Sequence, residues 1–229
     1  MSHKVFAERL EGLEGRLLEM SHSVQTLVED AVRYALTSEG SVESILEADT
    51  RIDSEEVGIE EECIELLALH QPMASDLRLL LTVLKINSDL ERIGDHGVNI
   101  AEAAARLQRS SQPPAMPPEV EEMSRIALEM LRDAMDSLVH RNAAEAQVVR
   151  ARDDEVDALH EAVFRVMLTH MLDANISACL QVILIGRNLE RIADLATNIA
   201  EDVVFMVEGI TVRHGGAPED TGPRTPPAG

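Results

Sequence analysis

The stretch LERIGDHGVNIAE at residues 90–102 returns as LERIADLATNIAE at residues 189–201. Nine of the thirteen positions are identical across a spacing of ninety-nine residues. A match of that quality marks an internal duplication, so the fold has to be read with that period in mind. On a helix each residue advances about 100°, which places Glu91, Asp95, Asn99 and Glu102 within a sector of roughly 80°. Glu190, Asp194, Asn198 and Glu201 repeat the arrangement. Each copy therefore carries one oxygen-rich strip along one helix.

Outward from these strips, proline divides the chain. None precedes Pro72, none falls between Pro72 and Pro113, and none lies from 119 to 217. Proline is strongly disfavoured inside helices, so its absence leaves room for long ones. Apolar or small residues recur at Leu10, Leu13, Leu17, Met20, Val24, Leu27, Ala31 and Tyr34, the three-four spacing of a packed helix seam. Gly40 offers a left-handed cap to end that helix near 38–41. Further helices are expected over 42–70, 73–108, 119–140, 143–172 and 176–212, with a turn near 173–175. The Pro-rich 110–118 (SSQPPAMPP) reads as a stiff linker. The Gly- and Pro-rich 213–229 reads as a disordered tail. The expected fold is all-α, six helices in two tandem antiparallel three-helix bundles, residues 1–109 and 119–212.

Antiparallel hairpins decide what the strips face. Asp53 and Asp49 lie 18 and 22 residues before Gln71, and Glu91 and Asp95 lie 20 and 24 after it. Asp157 and Asp153 lie 17 and 21 residues before Ala174, and Glu190 and Asp194 lie 16 and 20 after it. Each hairpin thus sets one i,i+4 acidic pair opposite another at one level. Four carboxylates so gathered repel unless something positive sits among them. Chance alone supplies roughly eight such pairs in a chain this acidic, mostly on solvated faces; the duplicated context and the matching register set these apart. The strip is displaced by roughly 100–140° from the apolar stripe Leu79, Ile86, Leu90 and Ile93, so the site belongs on a bundle flank. The same sector earlier in the helix carries Leu77, Leu80 and Leu84, where burial is expected.

All-oxygen donors suit Mg²⁺, Ca²⁺, Mn²⁺ or oxidised iron, and eight carboxylates in two groups could bridge more than one ion per group. Glu102 and Glu201 are secondary candidates. His160 follows Asp157 by three residues on the same face, and its counterpart Glu56 is acidic. His96 points about 100° away from Asp95. A bundle di-iron enzyme needs Glu-x-x-His on two facing helices. Glu19–His22 supplies one, but its counterpart is Glu122–Arg125.

Composition bounds the partners. The formal net charge of -22 and aromatic content of 2% argue against nucleic acid or an anionic membrane surface as ligand. No apolar run approaches 18 residues, which excludes membrane insertion and agrees with a cytoplasmic protein. Cys63 and Cys179 read as two buried reduced thiols. No nucleophile–base pair, phosphate loop or Cys-x-x-Cys cluster occurs. A carboxylate-bridged metal hydrolase or oxidase remains the alternative to a non-enzymatic adaptor.

The segment from Asp49 to Asp53, the run LLALHQPMASDLRLLLTVLKINSDLERIGDHGVNIAE at 66–102, and LERIADLATNIAEDV at 189–203 together resemble the PhoU family of phosphate-specific transport system accessory proteins. The resemblance covers about residues 4–212. It implies six helices in two repeats. It also implies surface multinuclear iron or zinc clusters on Glu/Asp-x-x-x-Asp motifs, matching Asp49–Asp53, Glu91–Asp95, Asp153–Asp157 and Glu190–Asp194, with Asn99 and Asn198 extending two of them. By the same resemblance, the chain is a negative regulator of the phosphate-starvation response. It would couple the ATPase subunit of a phosphate ABC transporter to a phosphate-sensing histidine kinase, as a cytoplasmic homodimer. The QPxASDLR feature is not duplicated, since Ala178 stands near where the first repeat has Asp76 and Gly186 interrupts the last helix.

Overall fold

A computed structural model describes residues 3–171 and 175–209 of the chain. Among them the order is α1 (His3–Thr37), α2 (Val42–His70), α3 (Ser75–Gln108), α4 (Pro118–Val139), α5 (Ala143–Arg150), α6 (Asp153–His170) and α7 (Ile176–Glu208), with no strand. These are the six expected rods, the fifth of them interrupted at Ala151–Arg152. Helices α1, α2 and α3 pack on one another, as do α4, α5–α6 and α7. The expected tail at 213–229 and most of the turn at 173–175 lie outside the described residues.

Local chemistry sets most boundaries. Ser38 and Gly40 both take positive φ, 62° and 102°, in the α1–α2 connection. The Ser41 hydroxyl then accepts from Ser44 N–H at 3.1 Å and caps α2, worth about 1 kcal/mol. Gln71 closes α2 in the left-handed region. Pro72 follows and Ala74 also has positive φ, so α3 starts at Ser75 rather than 73. Pro118 occupies the first turn of α4, one residue earlier than read from the sequence, because its missing N–H costs nothing there. Gly209, at φ 71°, caps α7 after Glu208, and residues 210–212 of the expected span lie outside the described residues.

The interruption of the fifth rod coincides with a tertiary contact. Arg152 donates from Nη2 to Glu129 at 2.7 Å and from Nη1 to Asp133 at 3.2 Å, both on α4. Asp153, Asp154 and Glu155 then form the first turn of α6, where the unpaired N–H groups favour acid.

The core is aliphatic. Leu13, Leu17, Val24, Ile86, Leu90, Ile93, Leu189 and Ile192 are fully buried, each contributing about 1.5–3 kcal/mol. Leu80 is buried as the sequence implies, but Leu77 is exposed. Gly97 has no room for a side chain: a Cβ there would sit 2.4 Å from Leu27 Cδ2. Cys63 and Cys179 are free and buried, and burial pushes the Cys63 thiol up to about 12. Among the described residues no helix is long and apolar enough to cross a membrane.

The two bundles join through α3 and α7, the most extensive helix–helix contact in the molecule. Arg78 Nε reaches Met206 O at 3.4 Å, Lys85 Nζ lies 2.6 Å from Asp202 Oδ1, and His96 Nδ1 lies 2.9 Å from Asn188 Oδ1. The partners descend as the α3 numbers rise, so the helices are antiparallel and the repeats face each other about a local two-fold. The repeat mates Leu90→Ala and Leu189→Ala are each expected to cost about 2–5 kcal/mol. The exposed Leu46→Ala should stay within about 0.5 kcal/mol. Urea unfolding monitored by circular dichroism measures all three.

Candidate functional site

The first acidic group forms where α2 crosses the flank of α3. Gly94 makes the approach possible, since a Cβ there would lie 3.3 Å from Asp49 Oδ1. That oxygen is buried without a hydrogen-bond partner. Burial, with Asp53 and Asp95 close by, pushes the Asp49 carboxyl up to about 6. Burial also raises Glu91, with Asp95, Asp53, Glu56 and Asp49 adding to it in that order. All four expected carboxylates therefore act on one another, and Glu56 joins them. Asp53 and Asp95 are exposed while Asp49 and Glu91 are half-buried, a flank site as the helix geometry implied.

The second group is built on α6 and α7. Burial, then Asp194 and Asp157, pushes the Asp153 carboxyl up to about 6. The Thr197 hydroxyl donates to Asp153 Oδ1 at 3.4 Å and opposes that rise. Glu190 sits apart from this trio in its partners: its Oε2 lies 3.9 Å from His160 Nδ1 and 4.0 Å from Arg191 Nε. Arg191 also reaches Asp194 at 2.7 Å. The second group is thus partly neutralised from within, whereas among the described residues no lysine or arginine forms an ion pair with Asp49, Asp53, Glu91 or Asp95.

Not every candidate joins these groups. Asn99 lines a groove on the α3–α7 seam with Arg92, His96 and Arg191. Asn198 and Glu201 line a second seam groove with Lys85 and Asp202. Glu201 also lies 3.2 Å from Arg150 Nε, and Glu102 is held by Arg106 at 2.6 Å. The seam grooves were not apparent from the sequence, although Arg92 and Arg191 sit inside the duplicated motif itself.

Among the described residues, no group of three or more His, Cys, Asp or Glu side chains is placed so that it could hold a metal ion. The donor chemistry nevertheless fits a hard cation in the first group. A buried acceptor without a partner, raised carboxylates and exposed carboxylates beside them are what a cation would satisfy. Asp49, Asp53, Glu91 and Asp95 would hold it.

The family model described as PhoU domain matches residues 17–104 and again 120–203. The phosphate-specific transport system accessory protein PhoU homolog of Rhizobium meliloti is 36% identical over 91% of each chain. That of Pseudomonas putida is 37% identical over 92% of this chain and 84% of its own. The crystal structure of PhoU from Pseudomonas aeruginosa superposes with a TM-score of 0.84 at 36% identity, covering 89% of this chain and 99% of that one. The phosphate transport system regulatory protein PhoU from Streptococcus pneumoniae gives 0.84 at 30% identity, over 91% and 100%.

The raised carboxyls set a pH dependence. With Asp49, Asp89 and Asp153 all pushed up to about 6, the folded chain takes up protons that the unfolded chain does not. Stability of the chelated protein should therefore rise as pH falls from 7.5 to 5. Glu65, Glu122 and Glu129 are held low by arginines, so their opposite effect falls below that window. Melting temperature against pH tests this, and Asp49→Asn with Asp153→Asn should flatten the rise.

Proposed function

The chain belongs to the PhoU family, and from that premise we propose that it is an accessory protein of phosphate transport acting as a metal-binding regulatory adaptor. In this reading it is a negative regulator of the phosphate-starvation response. It links the ATPase subunit of the phosphate ABC transporter to the phosphate-sensing histidine kinase and keeps the kinase inactive when phosphate is plentiful. It works in the cytoplasm as a homodimer.

The observation that carries the metal reading is the orphaned, buried Asp49 Oδ1 set among Asp53, Glu91 and Asp95. Asp153, Asp157, Glu190 and Asp194 would form the second centre, with His160 beside Glu190 as the one nitrogen donor. Oxygen-rich sets of this kind favour Mg²⁺, Mn²⁺, Ca²⁺ or oxidised iron, and His160 adds a donor that zinc accepts. A bound cation supplies charge neutralisation between neighbouring helices. Thr197 orients Asp153 through its hydrogen bond, and Gly94 lets Asp49 reach the cleft.

The adaptor reading is supported by the names of the relatives, which describe accessory or regulatory proteins and not enzymes. No observation favours the hydrolase or oxidase alternative. Two measurements test the proposal. In a pull-down at low salt the chain should retain both the transporter ATPase and the kinase sensor domain; failure to hold either one counts against the link. Chelation should lower the melting temperature and millimolar divalent ion should restore it. Asp49→Asn should melt higher than the native chain in chelator yet lose most of the ion-induced gain. A melt indifferent to chelator and ion would leave the strips as solvated faces only.

A further inference from the structure

The α3–α7 seam carries two grooves related by the ninety-nine-residue repeat, and their charges differ. The first, about 420 Å³, is lined by Lys85, Asp89, Arg92, Glu201 and Asp202 among others. Its cations have answering acids: Lys85 Nζ lies 2.6 Å from Asp202 and Arg92 Nη1 lies 3.3 Å from Asp89. The second, about 460 Å³, is lined by Arg92, Arg106, Arg187 and Arg191, with no aspartate or glutamate in its wall. His96, Asn99 and Asn188 complete its polar lining. Across the repeat, Ser88 has become Arg187, Asp89 has become Asn188, and Ala103 stands where the other half has Asp202.

Four guanidiniums around one depression are out of keeping with a chain of net charge -22. Their present partners are weak. Arg92, Arg106 and Arg191 pair with Asp89, Glu102 and Asp194 one turn away on their own helices. The Arg106–Glu102 and Arg191–Asp194 pairs face solvent and are readily exchanged, whereas Arg92 is shared with the mostly buried Asp89. Arg187 makes no hydrogen bond or ion pair among the described residues.

We propose that this second groove binds a phosphate group. A phosphate dianion presents oxygens in several directions and can accept forked guanidinium donors from both helices at once, which a single planar carboxylate cannot do. Asn99 adds an amide group from α3, while the Asn188 amide is held by Leu184 O and His96. The source is free orthophosphate or a phosphate ester, and the absence of Phe, Tyr or Trp from the wall leaves a nucleotide base nothing to stack on. The charge pattern stands whether or not the acidic groups hold metal.

The test is equilibrium dialysis of the full chain in chelator against orthophosphate and, separately, adenosine diphosphate, with ionic strength held constant by chloride. Saturable orthophosphate binding near one per chain is expected. It should weaken by roughly tenfold or more in Arg187→Gln with Arg191→Gln, and stay unchanged in Lys85→Gln and Arg125→Gln. Asn188→Asp, which returns an acid to the wall while keeping every arginine, should weaken it as well. Tighter binding of the diphosphate assigns the groove to esters; equal or weaker binding assigns it to the free ion. Absence of saturable binding by either compound overturns the proposal, as does binding that survives both the double substitution and Asn188→Asp.

Discussion

Antiparallel contact between α3 and α7 governs where every charged group in this molecule can stand. Fully buried Leu90, Ile93, Leu189 and Ile192 belong to these two helices, and each helix also forms the inner wall of its own bundle. Helix α3 is thereby flanked by α1, α2 and α7, and α7 by α3, α4, α5 and α6. On these two helices Glu91 and Asp95 stand with the α2 acids and Asp194 with Asp153 and Asp157 of α6, while Asp89, Glu201 and Asp202 share the seam with Lys85 and Arg92. The acidic strips lie on the flanks because helical geometry sets them apart from the apolar stripes, whereas the seam carries one mixed groove and one cationic groove.

That geometry also explains why the acidic groups are poised rather than relaxed. A carboxylate on a fully solvated face would ionise freely, but Asp49 and Asp153 are partly withdrawn from water and crowded by their own kind. Such crowding works against folding stability, and it is retained in both halves. The halves are not equal, however. Arg191 lies beside Glu190 and Asp194, while Arg92, its repeat mate, turns to Asp89. The first group therefore carries the greater uncompensated charge.

Much of this was legible from residues 90–102 and 189–201. Their identity located two equivalent helices, and simple counting across the Gln71 turn put Asp49 and Asp53 opposite Glu91 and Asp95. Other features were not legible because their causes are tertiary. Nothing between 143 and 172 breaks a helix by composition; at the interruption Arg152 reaches Glu129 and Asp133 on a different rod. Gly209 was a readable stop signal that the apolar periodicity beyond it obscured. Asn99 was assigned to the acidic strip by helical spacing, yet the neighbouring α7 draws its surroundings into the seam. Pairing of helices nearly a hundred residues apart leaves no local trace in either one.

The joining of two similar halves in one polypeptide has a consequence that a true two-fold assembly would forbid. In a symmetric pair of identical subunits, any exchanged residue appears twice, and both clefts change together. Here the exchange of Ser88 for Arg187 and of Asp89 for Asn188 altered one cleft and left its twin self-neutralised. Covalent tandem linkage thus lets the two clefts carry different charge, giving a body with near two-fold balance a front and a back.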